Sequence, residues 1–218
     1  MRILVVGDIH AKFEQFLEEI NTLKPDMVIS TGDFGFWPGK YDLQGIFESN
    51  QIPIHFCDGN HEDHEAIMEL TDEYGTSEAI EVAKNLYYVP RGSTLELPDA
   101  QVVLFVGGAR SIDRDYRAKG VNYFPEEELD FDVLDELDCV SDVDIVISHT
   151  KPSGIDIGVD CDYDPSMEVL DEVFEMFHPS RWFFSHFHTH AEQYTDECEW
   201  VCLNQLGEPG WYKWIDID

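Results

Sequence analysis

The stretch Arg2-Ile3-Leu4-Val5-Val6-Gly7-Asp8-Ile9-His10 decides the fold. Ile3 to Val6 is an unbroken apolar run that stops at Gly-Asp, the pattern of a strand buried on both faces rather than one that alternates with solvent. Beyond it Phe13, Phe16, Leu17, Ile20 and Leu23 recur at three- and four-residue steps, which predicts an amphipathic helix over Lys12–Lys24 stopped by Pro25. Met27-Val28-Ile29-Ser30 is a second buried strand, again leading into Gly-Asp at Gly32-Asp33. The chain therefore opens as a βαβ unit with a right-handed crossover.

The same texture continues. After a Gly/Pro/aromatic loop and a short helix within 34–50, a strand at 52–57 passes into Cys57-Asp58-Gly59-Asn60-His61-Glu62, and residues 62–72 read as helical. Residues 73–85 give no firm pattern. From Leu86 short strands at 86–89, 94–97 and 102–106 predict that a second sheet begins there. Pro125 followed by Glu126-Glu127-Glu128 predicts a helix start, with Leu129, Val133, Leu134 and Leu137 as its apolar stripe. A strand at 143–148, a helix at 166–177 and a strand at 181–185 follow. The tail, 192–217, reads as two or three antiparallel strands rich in Trp and Tyr, forming a dimer surface or closing the second sheet. With no linker or repeat, residues 1–218 read as one domain.

Strand after strand ends in a residue able to bind metal: Asp8 and His10, Asp33, Asn60, His149, then His186 and His188. Each has a plainer reading, as a turn former or a satisfied histidine. Parallel strands deliver their carboxyl ends to one sheet edge, so these residues are expected to converge. Asp-x-His and His-x-His pairs would then point the same way on extended backbone. Two carboxylates, one amide and four imidazoles mix hard oxygen with borderline nitrogen, which suits Mn, Fe, Zn, Ni or Co better than calcium or copper.

The series Gly7-Asp8-Ile9-His10, Gly32-Asp33, Gly59-Asn60-His61-Glu62, Ser148-His149 and His186-Phe187-His188 resembles the calcineurin-like metallophosphoesterases over residues 3 to about 190. The resemblance implies an α/β fold, a two-sheet β-sandwich flanked by helices, with two divalent metal ions at the strand ends. It implies Asp8, His10, Asp33 and His188 around one metal and Asp33, Asn60, His149 and His186 around the other, Asp33 bridging. It also implies ester hydrolysis by a metal-bridging hydroxide, with manganese the leading metal. His61 has no ligand role in the family pattern and is assigned as general acid or charge-stabilising donor at the leaving group; orienting Asn60 is the alternative. Glu62 is left to support of the site or to helix-start chemistry.

Within the loop Gly107 to Gly120, the run Gly107 to Arg117, with Arg110, Arg114 and Arg117, and Pro125-Glu126-Glu127 after it, resembles a loop in a bacterial and phage branch of these enzymes. Its arginines are candidate phosphate ligands, because a guanidinium donates two hydrogen bonds at once. Pairing with nearby acids is the competing reading. Where protein phosphatases of the superfamily continue the second block into a phosphate-gripping arginine, this chain has Phe34-Gly35-Phe36-Trp37-Pro38, aromatics for either the core or a base-stacking wall. The leading expectation is a phosphodiesterase acting on a small nucleotide-like substrate. The alternatives are a phosphomonoesterase, including a protein serine/threonine phosphatase, a scaffold that binds without catalysis, and a nuclease.

Composition narrows the partners. Thirteen Lys and Arg against 46 Asp and Glu give a formal net charge of -33, which disfavours duplex nucleic acid and anionic membranes. A small anionic substrate remains compatible, since surface charge is screened beyond about 8 Å at physiological salt. No stretch reads as a signal peptide or membrane span, and five scattered cysteines read as reduced thiols, so a cytoplasmic setting is expected.

Overall fold

In the opening unit β1 (Arg2–Val6) and β2 (Met27–Ser30) pair in parallel across α1 (Phe13–Leu23). The computed structural model describes residues 1–217 apart from 113, 122 and 160 and the side chain of Asp115. α1 ends where Lys24 turns left-handed (φ 55°), its N–H capping the Ile20 carbonyl ahead of Pro25. The elements that follow are α2 (Leu43–Phe47), β3 (Ile54–Phe56), α3 (His64–Tyr74), β4 (Ile80–Ala83), β5 (Leu86–Tyr88), β6 (Thr94–Glu96) and β7 (Val102–Val106). Then come α4 (Val133–Glu136), β8 (Val143–Ser148), α5 (Ser166–Phe177), β9 (Arg181–Phe184), β10 (Ala191–Tyr194), β11 (Glu199–Cys202) and β12 (Tyr212–Asp216).

Two six-stranded mixed sheets result, ordered β12-β1-β2-β3-β5-β4 and β10-β11-β9-β8-β7-β6. The continuous apolar runs are explained by what each face meets. In β1, Leu4 and Val6 join the layer under α1 to α3, while Ile3 and Val5 face the second sheet. In β7, Val103 and Phe105 meet the first sheet, and Leu104 and Val106 pack with α5 residues such as Val169 and Leu170. Side chains alternate in direction along a strand, so only a strand covered on both sides needs every position apolar. The α/β, two-sheet sandwich flanked by helices is thus the observed architecture. No described helix is long and apolar enough to cross a membrane.

Three expectations are corrected. The second sheet begins at β6, not at Leu86: β5 is parallel to β3 and closes a hairpin with β4 through left-handed Asn85 (φ 55°). β4 itself lies in the stretch whose pattern was unclear. The helix expected from Pro125 is broken into a 3-10 turn (Pro125–Glu127), the four-residue α4 and a second 3-10 turn (Leu137–Cys139). Its carbonyls are occupied by another donor: the Arg91 guanidinium bonds the carbonyl oxygens of Glu126, Glu127 and Glu128 at 3.0, 3.2 and 2.9 Å, and Glu128 turns extended. The tail also divides. β10 and β11 are antiparallel in the second sheet, β11 runs parallel to β9, and β12 returns to the first sheet antiparallel to β1.

Candidate metal centre

The carboxyl ends of β1, β2, β3, β8 and β9 meet at one edge of the sandwich, where loops meet the fewest steric demands. Asp8, Asp33, Asn60 and His149 are buried there, at 0%, 1%, 4% and 0% exposure, and His10 and His188 lie toward solvent. Nε2 of His188 is 3.0 Å and Nε2 of His10 3.8 Å from Asp8 Oδ2, and those two nitrogens stand 2.9 Å apart. Asp33 spans the centre, Oδ2 lying 3.7 Å from His10 Nδ1 and Oδ1 3.3 Å from His149 Nε2. Asn60 Oδ1 is 3.1 Å from the same His149 nitrogen.

These distances fit a cation. His149 Nδ1 lies 2.9 Å from the Thr31 carbonyl, an acceptor only, so Nδ1 carries the hydrogen and Nε2 presents its lone pair. That lone pair faces the oxygens of Asp33 and Asn60, an arrangement of acceptors that repels unless a proton or metal lies between. Oδ2 of Asp8 is buried and makes no hydrogen bond of normal geometry, although His188 Nε2 lies close. Buried polar atoms without such partners are costly. Without metal, the proton takes this role. Burial would lower His149, but the charges of Asp33 and Asp8 carry it up to about 10. Burial would raise Asp33, yet His149 holds it well below the usual carboxylate range.

Asp8, His10 and His188 form one group of mutually close donor atoms, and Asp8, Asp33 and His149 another. A third joins His10 and Asp33 to His61, which stands edge-on to His10 with ring centroids 5.0 Å apart. His186 enters none of these groups; its ring is 4.9 Å from that of His149, and burial with the His149 charge pushes it down to about 3. The reason expected for the Asp-x-His and His-x-His spacing is corrected: His10, His186 and His188 are left-handed, at φ 49°, 69° and 46°, rather than extended. Tight turns, not strand alternation, aim these side chains.

The glycines of the motifs make room for this packing. A Cβ on Gly59 would collide with Asp33 Oδ1 and fall 2.8 Å from His149 Cδ2, and one on Gly32 would fall 2.6 Å from His149 Nδ1. Glu62 ties two of the loops, Oε1 accepting from Gly35 N at 3.1 Å and Oε2 from Gly59 N at 2.8 Å. It does not start α3, whose N-terminus is capped by Asp63 accepting from Ala66 N. Burial, then the neighbouring Asp33 charge, push Glu62 up to about 8. Phe34 and Phe36 sit in the core, and Trp37 donates to the His61 carbonyl at 2.7 Å, so these aromatics support the site rather than line it.

The metal-capable residues open into a cavity of about 670 Å³ whose walls include Arg110, Arg114, Arg117, Tyr163 and Met167. The three candidate arginines thus line this cavity, in different circumstances. Arg110 forms a bidentate pair with Glu128 at 2.7 and 3.1 Å. Arg117 Nη2 lies 3.0 Å from His61 Nε2, and a guanidinium can only donate, so this nitrogen accepts. Three participants had no site role assigned from the sequence. Arg91 reaches Asp58 at 2.6 Å beneath the third loop, Ser111 is buried against Asn60, and Glu127 is buried against Ser111. Only the contact with Asn60 distinguishes Ser111 from any other loop serine.

The chain shares its fold with several solved structures. TT1561 of Thermus thermophilus superimposes with a TM-score of 0.60 at 15% identity, over 95% of this chain and 90% of that one. Phosphopantetheinyl hydrolase of Mycobacterium tuberculosis gives 0.54 at 12% identity, over 99% and 96%. GAP50, the anchor in the inner membrane complex of Plasmodium, gives 0.54 at 11%, over 93% and 70%. No curated protein sequence matches the chain. The family model of calcineurin-like phosphoesterases matches residues 1–190, every candidate ligand among them, and the chain belongs to that family.

Proposed function

We propose that this protein is a two-metal phosphoesterase that hydrolyses a small, nucleotide-like phosphodiester. The observation that carries the reading is the cluster of buried acceptors, with Asp33 between two groups of histidine nitrogens, opening directly into the arginine-lined cavity. Asp8, His10, Asp33 and His188 would hold one divalent ion, and Asp33, Asn60, His149 and His186 the other. Manganese is the leading choice, and Fe, Zn, Ni and Co suit the same donors. Bound at these positions, two such ions would neutralise phosphoryl oxygens and supply the nucleophile by lowering the pKa of water.

The chain's own groups do the rest. Asp33 Oδ1 accepts from the His61 backbone N–H at 2.8 Å while Trp37 holds its carbonyl, fixing the imidazole above the centre. When Arg117 moves its hydrogen bonds onto a phosphoryl oxygen, the His61 Nε2 that accepts from it is freed to take up a proton and give it to the leaving oxygen. Arg110 is held by Glu128 and shapes the wall. A diester is favoured over a monoester because the cavity offers surface for a second substituent, with Ile112, Val159, Tyr163 and Met167 on its walls. The charge of -33 leaves no broad basic track for duplex nucleic acid.

The test compares bis-p-nitrophenyl phosphate with p-nitrophenyl phosphate in the presence of Mn²⁺, for the wild type and Asp33→Asn. Faster turnover of the diester and loss of both metal and rate in Asp33→Asn are expected. A strong preference for the monoester removes the diesterase reading, and a variant with full metal content and rate removes Asp33 as the bridge.

A further inference from the structure

Resting on the two-metal reading above, we infer that Ser111 and Glu127 are positioning residues that fix the orientation of the Asn60 amide, and so the oxygen it offers to the second metal. An asparagine presents an oxygen on one side and an NH₂ on the other, and only the oxygen can ligate. Rotating the amide by half a turn would aim two hydrogens at the centre, so something must hold it. Asn60 Nδ2 donates to Ser111 Oγ at 3.0 Å, which leaves Oδ1 facing the His149 nitrogen at 3.1 Å.

Ser111 is itself held. Its backbone N–H donates to Glu127 Oε1 at 2.7 Å, and Ser111 and Glu127 are 1% and 0% exposed. Ser111 Oγ accepts from Asn60, and Glu127 fixes the residue that carries it through the backbone N–H. Glu127 Oε2 is buried without a hydrogen bond of normal geometry, so the bond to Ser111 N–H is the one by which this carboxyl group holds the loop among the described residues. By holding the Ser111 backbone, Glu127 keeps Oγ within reach of Asn60 Nδ2, so the hold on the amide runs from Glu127 through Ser111 to Asn60.

Further bonds run alongside. Ala109 N donates to the Glu127 carbonyl at 2.9 Å, and Gly108 N to the Asp58 carbonyl at 2.9 Å, two residues before Asn60. The loop that carries Arg117 to His61 is thus referenced to the same turn that carries Asn60 and His61. The Arg loop serves the metal centre from behind as well as the substrate from above.

Mn²⁺ titration of metal-stripped, full-length protein by calorimetry tests this, on the wild type, Ser111→Ala and Glu127→Gln, each with Asn60 and with Asn60→Asp. Two ions should bind the wild type. Ser111→Ala should weaken the second about 10- to 100-fold, in the range known for residues that orient metal ligands, and leave the first within about threefold. Glu127→Gln, which keeps an oxygen for Ser111 N–H but lets its NH₂ compete for the hydroxyl, should fall between. An aspartate has oxygen on both sides, so in the Asn60→Asp background the Ser111→Ala loss should vanish. Wild-type second-ion affinity in both Ser111→Ala and Glu127→Gln, or an undiminished loss with Asn60→Asp, overturns the inference alone. A wild type that binds fewer than two ions overturns the two-metal reading with it. Should Ser111→Ala melt like an unfolded chain, Glu127→Gln with and without Asn60→Asp decides.

Discussion

Replacing Arg91 by methionine should cost the fold several kilocalories per mole, and the cost should depend on pH in a direction the structure dictates. Arg91 donates to Asp58 Oδ2 through Nε and Nη2 at 3.0 and 2.6 Å, and Asp58 is fully buried. With the guanidinium gone, Asp58 keeps, among the described residues, the Tyr88 hydroxyl, 3.1 Å from Oδ1, as its side-chain donor. Breaking a buried pair in this way costs about 3–5 kcal/mol, because a charge is left without compensation. At about 2–4 °C per kcal/mol for a chain of this size, the melting temperature should fall by about 6–20 °C. In the wild type, burial pushes the Asp58 pKa up, and the Arg91 charge, the neighbouring His64 and the hydrogen bonds from Arg91 and Tyr88 together outweigh it, so the folded value lies below 3.8. This carboxylate therefore stabilises above the unfolded pKa, and the contribution is lost as pH falls through the folded one. Without Arg91, burial dominates and the folded pKa rises above the unfolded value. The variant then binds a proton on folding, so its deficit is largest near neutral pH and shrinks toward pH 4. Urea unfolding at about pH 7.5 and about pH 5 measures both quantities, and Arg91→Met with Asp58→Asn should recover most of the loss. A deficit under about 1 kcal/mol, an equal deficit at both pH values, or no recovery in the double variant would refute the reasoning.

Three further outcomes are expected. His61→Ala should lower kcat by about 10²- to 10⁴-fold with metal content unchanged, measured by steady-state kinetics beside metal analysis; an equal loss of metal would make His61 a ligand instead. Because Asp33 and Asp8 hold His149 protonated up to about 10 when no metal is bound, metal binding should release about one proton. Affinity should then weaken by up to tenfold per unit of falling pH, as read by titrations in buffers of different ionisation enthalpy; pH-independent affinity would contradict the assigned His149 role. Finally, the net charge of -33 repels itself, so raising NaCl from about 0.05 to about 0.5 M should raise the melting temperature. A fall would place the acids in attractive networks that salt weakens.

The parallel strands were legible because each is buried on both faces. Ile3 to Val6 and Val102 to Val106 cannot be mistaken for half-exposed strands, and such strands bring their ends to one edge. The candidate ligand set was read from those ends. What stayed hidden depends on long-range donors. Nothing local to Glu126-Glu127-Glu128 says that an arginine 35 residues away will take the Glu126 carbonyl and stop a helix. Leu86 to Tyr88 reads the same whichever sheet accepts it, and its place beside β3 rests on the β4–β5 turn at Asn85. Ser111 has no signature because its role exists only once Asn60, 51 residues away, is beside it.

Backbone conformation at the centre separates residues kept for geometry from residues kept for chemistry. Gly32 and Gly35 have φ of 104° and 95°, a region open to glycine, and their contacts leave no space for a side chain. Asp33, His10, His186 and His188 also have positive φ, at 44°, 49°, 69° and 46°, yet carry side chains. Left-handed backbone costs about 1–2 kcal/mol for such a residue, so four of them together cost about 4–8 kcal/mol, against a typical net stability of about 5–15 kcal/mol. Local bonds hold the strain in place: the Asp33 carbonyl accepts from Ile9 N and His10 N at 3.0 and 2.7 Å, and the Thr31 and Ser185 hydroxyls pair at 2.8 Å between the two sheets. Glycine would relax each of the four turns. A chain that instead places carboxylate and imidazole on the strained positions gives up stability for the one thing glycine cannot offer, a polar side chain at this edge of the sandwich.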